Sequence, residues 1–181
     1  MTRDKSDLER LLAEVPKRTF ESTLFNLAHA YARAGDASWL SLASTKDADF
    51  AAPAIMCQSF AVELLLKYFL ALDHPSATNA EELETEGVKL RRHRYSELYD
   101  QLKPATAAKI AAVFGTLTGR ATDAVGFRAA LIAQGDDPFV FWRYVYEAKD
   151  TRHFDSALFN HVTDALGKAA EAERKARTPG K

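Results

Sequence analysis

One segment of the chain, from Ala54 to Leu70, is apolar almost all the way round and constrains the fold more than any other. Its sequence, AIMCQSFAVELLLKYFL, carries one acid and one base, Glu63 and Lys67, four positions apart. A helix that is hydrophobic on every face belongs at the centre of a bundle. Charges there persist only when they are paired, because an isolated buried charge costs too much free energy. The segment therefore predicts a central, buried helix with an internal ion pair.

Helical periodicity recurs along the rest of the 181-residue chain. A capping box at Ser6 precedes an apolar stripe over residues 8–15, and further stripes follow from Phe20 to the last helix, with Gly35 a possible break. These patterns predict an all-α, up-and-down helical bundle. We divide it into a short N-terminal helix (1–18), the bundle proper (19–173) and a flexible tail (174–181).

Two segments depart from the helical pattern. Residues 75–92 carry acids first and bases afterwards, which is typical of a solvated, mobile connection. The segment Phe139–Tyr146 is aromatic and β-branched, which favours an extended conformation, yet no partner strand is apparent elsewhere. We therefore expect an extended aromatic segment, or an irregular helix start, lying across the bundle before the last helix.

Composition excludes several classes of function. The net charge of −1 gives no whole-domain basic footprint for non-specific nucleic-acid binding. The single cysteine, Cys57, rules out an intrachain disulfide and an all-cysteine zinc site, and His29 and His74 have no metal-ligand spacing. We expect no metal and no cofactor. A charged N-terminus and the lack of about 18 consecutive uncharged apolar residues predict a cytoplasmic protein.

Polar residues in apolar surroundings form a candidate constellation. Glu63 and Lys67 are four apart, as are Arg143 and Glu147, so each pair shares a helical face. The structural interpretation is a buried network of Glu63, Lys67, Arg143 and Glu147 that fixes the order of the helices. The functional interpretation is a ligand site at Lys67, His93, Arg94 and Arg143, in which His93 could also serve as a general base.

Three short motifs in this order resemble the HEPN-like helical-bundle superfamily (higher eukaryotes and prokaryotes nucleotide-binding). They are Glu-x-x-x-Lys within Ala61–Lys67, the start of the short helix His93–Leu102, and Arg-Tyr-x-Tyr-Glu at Arg143–Glu147. The resemblance covers about residues 20–170. It implies a bundle that is frequently dimeric, associated with nucleotide or RNA transactions, and often part of a toxin–antitoxin or defence system.

The ribonucleolytic members that the chain resembles carry an Arg-x(4–6)-His motif on the last helix. This chain has no such pair. Its nearest candidates, Arg152 and His161, are nine positions apart, which places them on opposite faces of a regular helix. We therefore predict no catalytic residues, and the chain is more readily understood as a protein without enzymatic activity.

The leading hypothesis is a non-catalytic HEPN-like binding or regulatory module. It would act as a homodimer, with an interface that includes the first and last helices, and its partner would be a nucleotide, RNA or an antitoxin-type protein. One alternative is a HEPN-type ribonuclease toxin with a displaced active site that uses His93 with nearby arginines. The other is a purely structural protein-interaction bundle whose polar network only specifies the fold.

Overall fold

The computed structural model describes residues 18–143 and 155–177, and this part of the chain contains eight α-helices and no strand. The prediction of an all-α bundle is confirmed, whereas the short helix predicted over residues 8–15 lies outside the described residues. The helices are α1 (Phe20–Thr45), α2 (Ala51–Asp73), α3 (Ala80–Thr85), α4 (Tyr95–Tyr99), α5 (Pro104–Thr118), α6 (Ala124–Ala133), α7 (Pro138–Arg143) and α8 (Ser156–Arg177).

Helix α2 is the centre of the bundle, as the apolar segment predicts. It follows a 3-10 turn, Ala48–Phe50, and 16 of its 23 residues are buried. Helices α1, α4, α7 and α8 all pack against it. At its C-terminal end the carboxylate of Asp73 accepts hydrogen bonds from the Lys103 backbone N–H (2.7 Å) and the Thr106 hydroxyl (2.6 Å), which fixes the start of α5.

The same helix has the length and composition of a membrane span. The stretch Ala48–Asp73 is 26 residues long. Its charged side chains are those of Asp49, Glu63, Lys67 and Asp73. Within the bundle, however, 78% of its most apolar window is buried by other helices. Its hydrophobicity is therefore accounted for by its position as the core helix of the bundle.

Helix α1 does not break at Gly35, contrary to the expectation from sequence. It runs unbroken from Phe20 to Thr45, and Gly35 is buried against α2. A Cβ atom at Gly35 would lie 2.5 Å from Cγ of Gln58 and 3.0 Å from the carbonyl oxygen of Ala54. The glycine therefore allows the two longest helices to approach closely and does not end α1.

The connection over residues 75–92 is not a loop throughout, because the short helix α3 forms within it. The side chain of Asn79 accepts a hydrogen bond from the Glu82 backbone N–H (3.0 Å), which caps the first turn. Leu83 is fully buried and joins α3 to the core. Asn79 is therefore a helix-start signal in the sequence that an interpretation by charge pattern alone overlooks.

Of the two conformations expected for the aromatic segment, the helix start is observed in its first part, Pro138–Arg143, and the extended conformation is wrong there. The carbonyl of Asp137 accepts a hydrogen bond from the Phe141 N–H (3.2 Å), so the segment satisfies its backbone without a partner strand. Phe139 stacks on Phe60 of α2, with ring centroids 4.6 Å apart. The remainder of the segment lies outside the described residues.

The last helix, α8, closes the bundle over α2 and α5. It continues to Arg177, four residues past the boundary expected at residue 173. One face of the helix is buried in the core. The residues of that face are Phe159, Val162, Ala165, Leu166, Ala169 and Ala170.

Candidate functional site

A buried carboxylate lies at the centre of the candidate site. The side chain of Glu63 on α2 is only 1% exposed, and its Oε1 atom accepts a hydrogen bond from Nζ of Lys67 at 2.6 Å. Lys67 lies one turn further along the same helix and is 15% exposed. The structure therefore forms the ion pair within the apolar helix, where removing Lys67 would take the shortest-range partner from a buried carboxylate.

His93 is the second partner of this carboxylate. Its Nδ1 atom lies 3.2 Å from both Oε1 and Oε2 of Glu63. An ionised carboxylate only accepts hydrogen bonds, so Nδ1 carries the proton and the bond sets the orientation of the ring. The His93 side chain is 54% exposed, so the imidazole joins the buried pair to the protein surface.

The segment that carries His93 is held by the residues immediately after it. The hydroxyl of Tyr95, which is fully buried, donates to the carbonyl of Ser59 (2.6 Å), and burial raises the pKa of this phenol well above its ordinary value, so it remains a donor. The Tyr95 N–H donates to the Asp136 carbonyl (2.7 Å). The Ser96 N–H and hydroxyl donate to the Asp136 carboxylate (2.7 and 2.8 Å). These hydrogen bonds fix the backbone two and three residues after His93.

His93 opens onto a cleft with a volume of about 490 Å³. Three guanidinium groups and two carboxylates line it together with the imidazole, so cationic groups predominate. The lining residues are Arg91, Arg92, His93, Arg94, Glu97, Asp137 and Val140. We call this the arginine cleft.

The ion pairs of the three arginines are exposed and mostly long. Nε of Arg91 lies 3.0 Å from Glu84, Nε of Arg92 lies 3.5 Å from Glu97, and Nη1 of Arg94 lies 3.9 Å from that same Glu97. Exposed pairs of this kind contribute about 0–1 kcal/mol each. The guanidinium groups can therefore exchange these partners for a bound anion at little cost in stability.

Only part of the predicted ligand set meets at the cleft. His93 and Arg94 line it, whereas Lys67 reaches it only through Glu63. Arg143 is exposed at the end of α7, three residues after Val140, and its share in a ligand site or in the polar network stays a prediction. Glu147 lies outside the described residues.

Sequence reasoning missed Arg91 and Arg92 as site residues. Both belong to the basic run before His93, where the charge pattern predicts a mobile connection. The signal that could have identified them is their position directly before the histidine, because the buried helix start at Tyr95 fixes the segment leading into it.

No family model, curated protein or solved structure matches this chain. The resemblance to the HEPN-like superfamily accordingly rests on the three short motifs alone. Function has to be argued from the geometry of the clefts and from the charges that line them.

The described residues contain no group of three or more His, Cys, Asp or Glu side chains placed to hold a metal ion. Cys57 is half-buried, and desolvation raises the pKa of its thiol, which disfavours the reactive thiolate. His161 lies in a different surface cleft, beside Asp123 and Asp155, while Arg152 lies outside the described residues.

Proposed function

We propose that this chain is a non-catalytic HEPN-like module that binds the phosphate groups of a nucleotide or RNA in the arginine cleft. The observation that carries the proposal is the placement of His93, oriented by the buried Glu63, among Arg91, Arg92 and Arg94. Guanidinium groups bind phosphate oxygens through paired N–H donors, and an oriented imidazole adds a further donor when it is protonated.

Aromatic residues follow a cleft residue on helix α7 and suit the same class of ligand. Helix α7 contributes Val140 to the cleft and carries Phe141 and Trp142, whose rings meet edge to face at 5.6 Å. Single-stranded RNA is commonly bound by cationic grooves together with aromatic side chains on which bases stack. A nucleotide or a short single strand therefore suits this surface better than a duplex.

The Glu63–His93 pair also favours a second candidate, a HEPN-type ribonuclease with a displaced active site. A carboxylate that orients an imidazole is an arrangement used in general acid–base catalysis. We prefer binding without cleavage because the sequence lacks the Arg-x(4–6)-His pair of the ribonucleolytic members that it resembles. The purely structural interpretation is supported by the complete pairing of Glu63, and it predicts no ligand at all.

A test of the proposal uses a 5′-labelled single-stranded RNA and fluorescence anisotropy. We expect binding that weakens as salt rises, because phosphate contacts release counterions. Changing Arg92 and Arg94 together to Gln should lower the affinity and reduce the slope of log K against log salt by about 1.4, which is about 0.7 for each lost contact. The matched control is Lys109→Gln, which removes an exposed cation of α5 outside the cleft and should leave binding unchanged.

The same samples separate the alternatives. Recovery of intact RNA after incubation without metal supports binding alone, whereas cleavage that is lost in His93→Ala would establish the ribonuclease. Absence of binding at low salt, or equal affinity of the Arg92→Gln/Arg94→Gln variant and the wild type, would leave only the structural interpretation.

We also propose that the chain forms a homodimer in the cytoplasm and that an antitoxin-type partner regulates it. The dimer is supported by apolar surface on α1, where Leu27 and Tyr31 lie one turn apart and remain 45% and 37% exposed. Sedimentation at micromolar concentration should give twice the 20.1 kDa chain mass. Leu27→Lys should shift the protein to monomer, and Val125→Lys, at an equally apolar exposed position on α6, should not. A wild-type monomer throughout that range contradicts the dimer.

A further inference from the structure

Helix α4 begins at the arginine cleft and departs there from the usual capping pattern. Its N-cap residue is Arg94, whose side chain forms no cap hydrogen bond. Serine, threonine, aspartate or asparagine is preferred at an N-cap, because a side-chain oxygen accepts a hydrogen bond from one of the first backbone N–H groups. A guanidinium group has no acceptor, and it adds positive charge where those N–H groups are already partly positive. Arg94 therefore breaks a local rule, and such departures are typical of functional sites.

The acceptors that Arg94 cannot supply come from Asp136, 40 positions after Ser96 in the chain. One carboxylate oxygen of Asp136 accepts a hydrogen bond from the Ser96 backbone N–H (2.7 Å), and the other accepts one from the Ser96 hydroxyl (2.8 Å). The backbone carbonyl of Asp136 accepts a third hydrogen bond, from the Tyr95 N–H (2.7 Å). Tyr95 and Ser96 are the first two residues of α4, so Asp136 alone satisfies both of their backbone donors.

Asp136 also sets the course of the opposite wall of the cleft. It adopts a left-handed backbone conformation (φ 51°) directly after Gly135 (φ 113°), just past the end of α6. This conformation is uncommon for residues other than glycine and costs free energy, so it persists only where surrounding contacts fix it. The chain then continues into Asp137 and Val140, which line the cleft. The hydrogen bonds of Asp136 thus join this wall to the one that carries His93 and Arg94.

We propose that Asp136 is a positioning residue of the arginine cleft. It caps α4 from outside, which leaves position 94 free for a guanidinium group, and it fixes the separation between residues 91–94 and the start of α7. Asp136 itself does not line the cleft, so it acts on a ligand only through His93 and Arg94. This role rests on the proposed binding of phosphate groups in that cleft.

The first test replaces Asp136 by glycine, which removes both carboxylate acceptors and accommodates the left-handed backbone without strain. Anisotropy with the 5′-labelled single-stranded RNA should give an affinity about three- to tenfold below that of the wild type, because His93 and Arg94 are no longer held against the other wall. Asp136→Asn keeps an acceptor oxygen for the Ser96 N–H and tolerates the same backbone conformation. It should therefore restore most of the affinity.

Asp100→Ala is the matched control. Asp100 also links α4 to α6, because its carboxylate accepts hydrogen bonds from Nε and Nη2 of Arg128 (2.6 and 2.7 Å). It lies at the other end of α4, outside the arginine cleft, so Asp100→Ala should bind RNA like the wild type. Equal losses of affinity in Asp100→Ala and Asp136→Gly would mean that any loosening of α4 weakens binding, and Asp136 would have no positioning role of its own.

Arg94→Asn tests whether one cap can replace the other. Asparagine supplies a local acceptor, so this variant should unfold at or above the wild-type temperature, while its RNA affinity falls with the loss of a guanidinium group. Asp136→Gly should lower the unfolding temperature by about 2–4 °C in the wild-type background and by less in the Arg94→Asn background. An equal lowering in both backgrounds, or wild-type RNA affinity in Arg94→Asn, would overturn the proposal.

A measurement without ligand separates the positioning role from the binding function. The nitrogen chemical shifts of the His93 ring at alkaline pH report which nitrogen carries the proton, and the hydrogen bond to Glu63 favours the form protonated at Nδ1. The share of this tautomer should fall in Asp136→Gly and persist in Asp100→Ala. If it falls although the wild type binds no RNA, the proposed function fails and the positioning of His93 stands. An unchanged tautomer in Asp136→Gly would overturn that positioning whether or not RNA binds.

Discussion

Replacing Lys67 by methionine is expected to lower the free energy of unfolding by about 2–4 kcal/mol. The change removes the 2.6 Å partner of a Glu63 carboxylate that is 1% exposed, so a buried charge loses most of its compensation. His93 remains at 3.2 Å, but it is half-exposed and shared with solvent, and it replaces the ammonium group only in part. Chemical denaturation followed by circular dichroism measures the loss.

The matched control for this change is Lys109→Met. Lys109 also forms an ion pair with a glutamate, Glu173, but its side chain is 64% exposed, so its loss should cost no more than about 1 kcal/mol. The double change Glu63→Leu with Lys67→Met should recover part of the loss of Lys67→Met, because no buried charge is then left without a partner. If Lys67→Met and Lys109→Met were equally mild, burial of the pair would not govern its energetics.

The central helix was the part of the fold most open to sequence reasoning, and the reason is physical. A segment that is apolar on every face has no alternative to burial, so residues 54–70 specified both the position of α2 and the pairing of Glu63 with Lys67. The third partner, His93, lies 30 positions away, and a contact at that distance depends on how the intervening chain returns to α2. Periodicity within one helix carries no such information.

Where local patterns misled, tertiary contacts decided the outcome. Gly35 resembles a helix break, yet it lies within an unbroken α1 where that helix packs closely against α2. The segment from Phe139 has strand propensity, yet it forms a helical turn that places Phe139 on Phe60. The cleft that Trp39 and Gln58 line could not be anticipated at all, because its walls belong to α1, α2 and α8, whose relative rotation is set by packing.

Two helical glycines, Gly35 in α1 and Gly167 in α8, should therefore respond oppositely to the same substitution. Gly35→Ala is expected to destabilise the protein by about 1–3 kcal/mol, although alanine is favoured over glycine in a helix interior by about 1 kcal/mol. The added methyl group would lie 2.5 Å from Cγ of Gln58 and 3.0 Å from the Ala54 carbonyl oxygen, so α1 and α2 would have to separate. That separation would also disturb the hydrogen bonds of Gln58 to Trp39 and Asp36.

Gly167→Ala is the matched control, since the new Cβ atom meets nothing within 4 Å. Only the helix propensity and the entropy of the unfolded chain change, and both favour alanine, so the variant should gain about 0.5–1 kcal/mol. Thermal and chemical unfolding of both variants give the comparison directly. A Gly35→Ala protein as stable as Gly167→Ala would mean that α1 and α2 are not in close contact at Gly35.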